Sequence, residues 1–354
     1  MEIHTRTISL EQISFVCNLP CSPDVRKYEI ISVVGQGSFG KVYKARTGDK
    51  FVALKKILKN SSNEQIPITT LREVQILRSL QHENVVKLLE VCWSKRSGSA
   101  GTFHLVLEFC DHDLRALIRN PKVKFSLGEI KSVLQQLLRA LHHVHANKVM
   151  HRDVKPENVL VTTQGVVKLA DFGLARSLPQ TMFHAKQFTN PVVTLHYRAP
   201  EVLLGDDRYG RAVDMWSFGC IVGEMWKRKP ILRGTSEQSQ LLLVIELCGS
   251  IVPEVWPGVE NYRLYNVLVL PEHKERRIRE CFGQLMGNEH ACDLLDKSLV
   301  LDPSRRITAS SALNSDFFWT EPMPSNLSYL TRYHSEVTIG ESSKINDSSC
   351  PVYF

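Results

Sequence analysis

His151-Arg152-Asp153-Val154-Lys155-Pro156-Glu157-Asn158 is the stretch that decides the fold. It sets several polar residues in a fixed order between a long helical pattern, EIKSVLQQLLRALHHVHAN, and a short strand-like run, NVLVTT. Asp153 is placed to accept the proton of a substrate hydroxyl, Lys155 to neutralise a terminal phosphate and Asn158 to hold a magnesium ion. Thirteen residues after Asn158, across the strand-like VVKLA, Asp171-Phe172-Gly173 offers a carboxylate as a second magnesium ligand.

Upstream, Gly35, Gly37 and Gly40 form G-x-G-x-x-G, a spacing that dinucleotide-binding turns also use at the start of a helix. Here the chain continues as KVYKARTGDKFVALKK, which reads as strand, turn and strand, so the glycines sit on a hairpin that can close over phosphates. Lys55, in V-A-L-K on the following strand, can reach the α- and β-phosphates, and Glu73, in L-R-E-V on a helix, can supply its carboxylate partner.

The flanking pattern has two parts and no internal repeat. From Tyr28 to Glu108 short β-prone runs dominate (YEIISVV, KVYKA, FVALKKI, VVKLLEVCW, FHLVLEF), interrupted by one helical stretch, TTLREVQILRSL. From Leu114 onward helical periodicity takes over, as in AVDMWSFGCIVGEMWKR, QSQLLLVIELCG and HACDLLDKSLV. SKRSGSAGT (94–102) reads as an exposed hairpin loop, HKERRIRE (273–280) as a solvated helix face, and the last residues as a polar tail.

With 354 residues, 43% hydrophobic and 23% charged, the chain can bury a sizeable core. A net charge of +7 without a basic block argues against direct nucleic-acid binding. Nine cysteines, an odd number scattered through apolar segments, fit free thiols in a reducing compartment. Cys17 and Cys21 have no second Cys/His pair at ligand spacing and are read as part of a mobile N-terminal arm. The opening MEIHTRTISLEQISF lacks a leader pattern, and no stretch approaches the ~20 apolar residues of a membrane span, so a soluble intracellular protein is expected.

Taken in order, the glycine hairpin, V-A-L-K, H-R-D-x-x-x-x-N, D-F-G and Ala199-Pro200-Glu201 resemble the protein kinase family from Tyr28 to about Trp319. The resemblance implies an α+β, two-lobed kinase fold: an N-terminal extension at 1–27, a kinase domain at 28–319 and a C-terminal tail at 320–354. Within the domain it implies a small β-rich N-lobe with one regulatory helix (28–108), a hinge (108–113) and a larger, mainly helical C-lobe (114–319). It implies ATP bound by Gly35, Gln36, Gly37, Ser38, Phe39, Gly40, Val42, Ala53, Lys55, Glu108, Cys110, Asp113 and Leu160, with Mg2+ on Asn158 and Asp171. Asp153, Lys155, Lys55 and Glu73 would carry catalysis, while Asp214 would brace the catalytic loop and Arg306 would pair with Glu201. Lys155, two residues after Asp153, resembles serine/threonine rather than tyrosine kinases.

Pro67-Ile68-Thr69-Thr70-Leu71-Arg72-Glu73 resembles the signature helix of cyclin-dependent kinases, in the form found in their transcriptional branch, with Thr69 or Thr70 placed to cap it. Phe39, where cell-cycle members carry an inhibitory tyrosine, agrees with that branch. The resemblance implies a cyclin partner of T type, Ser-Pro and Thr-Pro sites in the C-terminal domain of RNA polymerase II and in elongation factors as substrates, and a nuclear location. Another cyclin-dependent kinase with cell-cycle or RNA-processing substrates, or an inactive scaffold, are the alternatives. Without the cyclin, the helix carrying Glu73 is expected to be misplaced.

Arg72, Arg152 and Arg176 come from the regulatory helix, the catalytic loop and the start of the activation segment, and three converging guanidiniums would hold a phosphate. Thr189, twelve residues before Glu201, matches the family's activating threonine, and Thr194 the one that braces the catalytic loop. Val192, Val193 and Arg198 resemble the pocket that selects proline after the acceptor. His196, Pro191 and Leu107 depart from the family's usual residues, so substrate and inhibitor preference do not carry over at these positions.

Overall fold

The structure, a computed structural model, describes residues 21–22, 25–37, 40–57, 68–94, 102–178 and 194–327. The 95–101 part of the predicted hairpin loop, the tail beyond 327, Cys17, Ser38, Phe39, Thr189, Pro191 and the proline-pocket residues Val192 and Val193 lie outside the described residues.

The N-terminal half is a six-stranded sheet in the order β1-β5-β6-β4-β3-β2. Its strands are β1 (Cys21–Ser22), β2 (Glu29–Gly37), β3 (Gly40–Thr47), β4 (Lys50–Ile57), β5 (Leu88–Ser94) and β6 (Thr102–Glu108). The five long strands pair antiparallel, as their hairpin spacing and β-branched composition predict. β1 corrects the reading of a mobile arm: Cys21 pairs in parallel with Val91 and Ser22 with Cys92, and Lys27 then closes an ion pair with Glu90 at 2.7 Å. This edge strand belongs to the stretch assigned to the extension, so the sheet begins before residue 28.

Helix α1 (Ile68–Ser79) packs on the sheet through Leu71, Val74 and Leu77. Thr69 and Thr70 lie inside its first turn, so neither is the N-cap expected from the sequence.

Below the sheet, β7 (His112–Asp113) leads into α2 (Leu114–Arg119) and α3 (Leu127–Ala146). Helix α3 starts on a capping box in which Ser126 and Glu129 satisfy each other's backbone N–H groups. Its apolar face, including Val133, Leu137, Leu141 and Val144, is fully buried. β9 (Val159–Val161) lies between β7 and β10 (Val167–Leu169), and β8 (Val149–Met150) pairs with β11 (Arg176–Ser177), giving two small sheets against α3. α4 (Pro200–Leu203), α5 (Ala212–Lys227), α6 (Glu237–Cys248), α7 (Ile278–Met286), α8 (Glu289–Ser298) and α9 (Ala309–Leu313) complete the helical half around the buried Trp216 and Phe218 of α5.

HKERRIRE is also corrected, because helix α7 begins only at Ile278 and residues 273–277 are irregular. Arg276 explains why: its guanidinium donates to the carbonyls of Cys248, Leu299 and Asp296, clamping the segment to the ends of α6 and α8. Cys92, Cys110, Cys220, Cys248, Cys281 and Cys292 are free thiols, as expected. No helix among the described residues is long and apolar enough to cross a membrane.

Candidate active site

The catalytic-loop sequence folds between β8 and β9, and its backbone is held by one buried carboxylate. Asp214, at the start of α5 and 1% exposed, accepts from the backbone N–H groups of His151 (2.9 Å) and Arg152 (2.8 Å) and from the His145 ring at 2.8 Å. Burial alone would raise its pKa, but these donors outweigh that and hold it below the usual carboxylate range. Arg152 has a left-handed backbone at φ 68, a conformation a non-glycine residue keeps only where its surroundings impose it. They do: its Nε donates to the Leu174 carbonyl and its Nη1 to the Tyr209 hydroxyl.

That clamp presents Asp153. Its Oδ2 accepts from Lys155 Nζ at 2.6 Å and Asn158 Nδ2 at 3.0 Å, while its Oδ1 receives only long bonds from Thr194, 3.2 Å from the hydroxyl and 3.4 Å from the N–H. Oδ1 is therefore the oxygen with capacity for a shorter bond from an incoming hydroxyl. Lys155 also reaches Thr194 Oγ1 at 3.0 Å, which ties the end of the activation segment to the loop, as the resemblance implied for Thr194.

Across the cleft, Lys55 Nζ lies 2.7 Å from Glu73 Oε1 and 2.8 Å from Asp171 Oδ1. Burial pushes the ammonium's pKa down, but the two carboxylates more than offset it and keep Lys55 protonated. Asp171, in the left-handed region at φ 62, is held low by Lys55 against its own burial. With Leu71, Val74 and Leu77 packed on the sheet, α1 delivers Glu73 to Lys55.

The remaining nucleotide candidates lie on β2, β3, β4 and β9 and along the stretch from Glu108 to Asp113. Val42 stands opposite Lys55, and Ala53 opposite Leu107, in the sheet register. Leu160 pairs with Asp113 on the facing side. Gly35, Gln36 and Gly37 end β2, and Gly40 opens β3 with φ 143; a Cβ there would lie 2.0 Å from the Lys56 carbonyl oxygen, so only glycine fits. Glu108 turns its carboxylate to Lys168 (2.9 Å) and the Lys87 N–H (2.6 Å), leaving its backbone at the hinge. Cys110 is buried, with its thiol pushed up to about 12. Asp113 caps α2 by accepting from Ala116 N at 2.7 Å, a structural task the sequence reading did not assign it.

Asn158, just before β9, and Asp171, just after β10, offer oxygen donors on neighbouring segments joined by a 2.8 Å bond from Ala170 N to the Asn158 carbonyl. This hard-donor pair, facing the Lys55 ammonium, fits magnesium with a phosphate chain, since magnesium takes one or two protein carboxylates and completes its shell with phosphate and water.

Arg72, Arg152 and Arg176 are brought together. The positive charge of Arg152 acts on Arg72, and those of Arg152 and Arg72 on Arg176, whose pKa burial and these neighbours lower to about 10. Three like charges so placed call for an anion. Tyr209 in this cluster and His145 beneath Asp214 went unnoticed in the sequence, because each lies far along the chain from its partner and on no motif.

Under the activation segment, Tyr197 donates to Glu224 Oε2 at 2.7 Å. Burial pushes the Glu224 carboxyl up to about 7, with Glu157 adding and Arg119 and Arg115 opposing. A carboxyl raised from 4.5 to about 7 stabilises the fold fully below the lower value and loses that contribution as pH rises to the upper one. Glu224→Gln, neutral throughout, is expected to raise Tm relative to the parent by a few degrees more at pH 8 than at pH 5; equal shifts in thermal melts at the two pH values would contradict this.

The protein kinase domain family matches residues 28–318. Cyclin-dependent kinase 9-A of Xenopus laevis is 50% identical over 328 residues, covering 90% of this chain and 87% of the relative. Human cyclin-dependent kinase 9 is 50% identical over 322 residues, covering 89% and 86%. Among solved structures, the yeast RNA polymerase II CTD kinase CTDK-1 complex superposes with a TM-score of 0.76 at 31% identity, covering 92% of this chain and 98% of that one.

Proposed function

This chain belongs to the protein kinase family and, within it, to the cyclin-dependent kinases, and from that premise we infer that it phosphorylates Ser-Pro and Thr-Pro sites in the C-terminal domain of RNA polymerase II and in elongation factors. The observation that carries the reading is the joining of Lys55, Glu73 and Asp171 at 2.7 and 2.8 Å, opposite an Asp153 whose Oδ1 can take a hydroxyl proton. Membership of the family implies ATP as phosphoryl donor and Mg2+ as cofactor. Held by Asn158 and Asp171, magnesium would supply charge neutralisation for the phosphates during transfer.

The protein's own residues do the positioning. Lys55, fixed by Glu73, binds the α- and β-phosphates; Gly35 to Gly40 cover them; Asn158 and Asp171 are the metal ligands. Val42, Ala53 and Leu160 enclose the base and the hinge at Glu108 and Cys110 orients it. Asp153 orients the acceptor hydroxyl and takes its proton, and Lys155, held between Asp153 and Thr194, steadies the transferring group.

The partner is a cyclin, of T type, docked on α1, and the setting is the nucleus. The names of the relatives and of the yeast CTD kinase complex support the substrate, and the identity to cyclin-dependent kinases supports the cyclin. The cyclin's part is to hold α1 so that Glu73 stays on Lys55, while Thr189, once phosphorylated, occupies the arginine cluster. Thr189→Ala in the cyclin-bound kinase is expected to lower turnover at least about tenfold, the loss of charge-assisted bonds to three arginines. The test is Mg-ATP turnover of the cyclin complex on a polymerase heptad peptide against a histone peptide; no preference for the heptad peptide would refute the substrate assignment, and full activity of the cyclin-free chain would refute the dependence.

A further inference from the structure

Proline follows a serine or threonine at one place in the 354 residues, Ser22-Pro23. Thr189 and Thr194 are followed by Asn190 and Leu195, so neither is a site of the class that the proposed function assigns to this kinase. Within its own chain, only Ser22 is.

Ser22 lies on an edge of the fold. It is the last residue of β1, which pairs with β5 at two positions, Cys21 with Val91 and Ser22 with Cys92. A two-residue strand at the margin of a six-stranded sheet is held by few ladder bonds and opens at small cost. The chain behind it is anchored separately. Lys27 donates to both carboxylate oxygens of Glu90, at 2.8 and 2.7 Å, and the buried Tyr28 donates to Glu90 Oε2 at 3.0 Å. That anchor begins five residues after Ser22, so Ser22 can leave the sheet while the domain stays folded.

The same anchor decides what a phosphate does there. Cys92, opposite Ser22 in the register, donates from Sγ to Glu90 Oε1 at 3.2 Å, so Ser22 pairs next to a carboxylate. Burial pushes the Glu90 pKa up, but the bonds from Lys27, Cys92 and Tyr28 outweigh it and keep the group ionised. A phosphoserine adds about −1.5 to −2 charge where Lys27 is already committed to Glu90, and like charges then oppose the return of the strand.

Resting on the reading of the cleft as a Ser-Pro and Thr-Pro kinase site, we propose that Ser22 is a phosphorylation site of this kinase, modified by a second copy of the chain, and that its phosphate keeps β1 off the sheet. A second copy is required by reach. From the anchored Tyr28 back to Ser22 the extended chain spans about 20 Å, whereas β1 and the glycine hairpin of β2 and β3 stand at opposite margins of a sheet about 24 Å across. In the transfer, Ser22 Oγ attacks the γ-phosphorus of ATP held by the other copy and the bond from that phosphorus to the β,γ-bridging oxygen breaks. ADP departs, and the hydroxyl proton passes to that copy's Asp153 Oδ1.

The test gives the cyclin-bound kinase and Mg-ATP two acceptors, the full Asp153→Asn chain and the polymerase heptad peptide, and locates phosphate by mass spectrometry. Ser22 of the Asp153→Asn chain should be phosphorylated, and adding Pro23→Ala, which keeps the hydroxyl, should slow this at least about tenfold. In the phosphorylated chain, amide exchange in the part of β5 that β1 covers should become at least about tenfold faster, with α3 unchanged. The same chain carrying Ser22→Ala, treated alike, should show no such change. Transfer to the heptad peptide with none to Ser22 overturns the site. Phosphate on Ser22 with unaltered exchange in β5 overturns the release of β1. If neither acceptor is phosphorylated, the kinase assignment itself falls and the site falls with it.

Discussion

Asp153→Asn is expected to lower kcat about 10²–10⁴-fold, the usual worth of a positioned general base, while KM for ATP stays within about a factor of three. The split follows from the geometry. Asp153 bonds to Lys155, Asn158 and Thr194, within the catalytic loop and at the end of the activation segment, whereas Lys55, which is to bind the α- and β-phosphates, is held by Glu73 and Asp171 and not by Asp153. Asparagine keeps the shape but turns one amide NH2 toward donors whichever way it is rotated, since both carboxylate oxygens now accept. The local penalty is about 1–3 kcal/mol, small beside the catalytic loss, because Asp214 still holds the loop's backbone through His151 and Arg152. Single-turnover phosphorylation and a thermal melt check both halves: a variant with near-native kcat would remove Asp153 from its assigned role.

The same contrast between local and distant constraints explains what could be read from the sequence. The catalytic stretch was legible because its chemistry is compressed into consecutive residues: Asp153, Lys155 and Asn158 are neighbours along the chain and remain neighbours in space. The strands were legible because hairpin partners such as β2 and β3 alternate side chains along adjacent sequence. β1 was not, since two residues carry no period and their partners Val91 and Cys92 lie far downstream. HKERRIRE has helix-forming composition throughout, but Arg276 finds three carbonyls at the ends of α6 and α8, and that tertiary clamp overrides propensity. For the same reason no local signal could have shown Arg115 meeting Glu157, or Tyr209 receiving Arg152.

The converging arginines show how a long-range arrangement becomes a switch. Arg152 is fixed at its backbone by Asp214 and at its guanidinium by Leu174 and Tyr209, so its position depends little on the activation segment. Arg72 rides on α1 and Arg176 on β11, which pairs with β8 next to the catalytic loop. A phosphate bridging the three would therefore couple α1, the activation segment and the catalytic loop, three parts that must be aligned together for transfer. The like-charge lowering at Arg72 and Arg176 is the cost that such an anion removes.

Arg306→Ala is expected to be the most destabilising single substitution, by about 3–5 kcal/mol and on the order of 10 °C in Tm. The Arg306 and Glu201 side chains are 0% and 1% exposed and meet through two bonds, Nη1 to Oε1 at 2.7 Å and Nη2 to Oε2 at 2.9 Å. Arg306 also donates to the carbonyls of Val300, Ala212 and Leu301, and lies 5.1 Å from the centre of the Trp216 ring. Taking it away strands a buried carboxylate and three carbonyls at once, at the junction of α4, α5 and the loop after α8. Glu201→Gln alone should cost less, because the guanidinium keeps its three carbonyls. Since the main penalty of Arg306→Ala is the uncompensated Glu201 charge, adding Glu201→Gln to it should recover part of the lost stability. Urea unfolding of the two single variants and the double variant decides the point: strictly additive losses would mean that the pair's burial, and not its charge, holds this junction, whereas recovery assigns the junction to the ion pair.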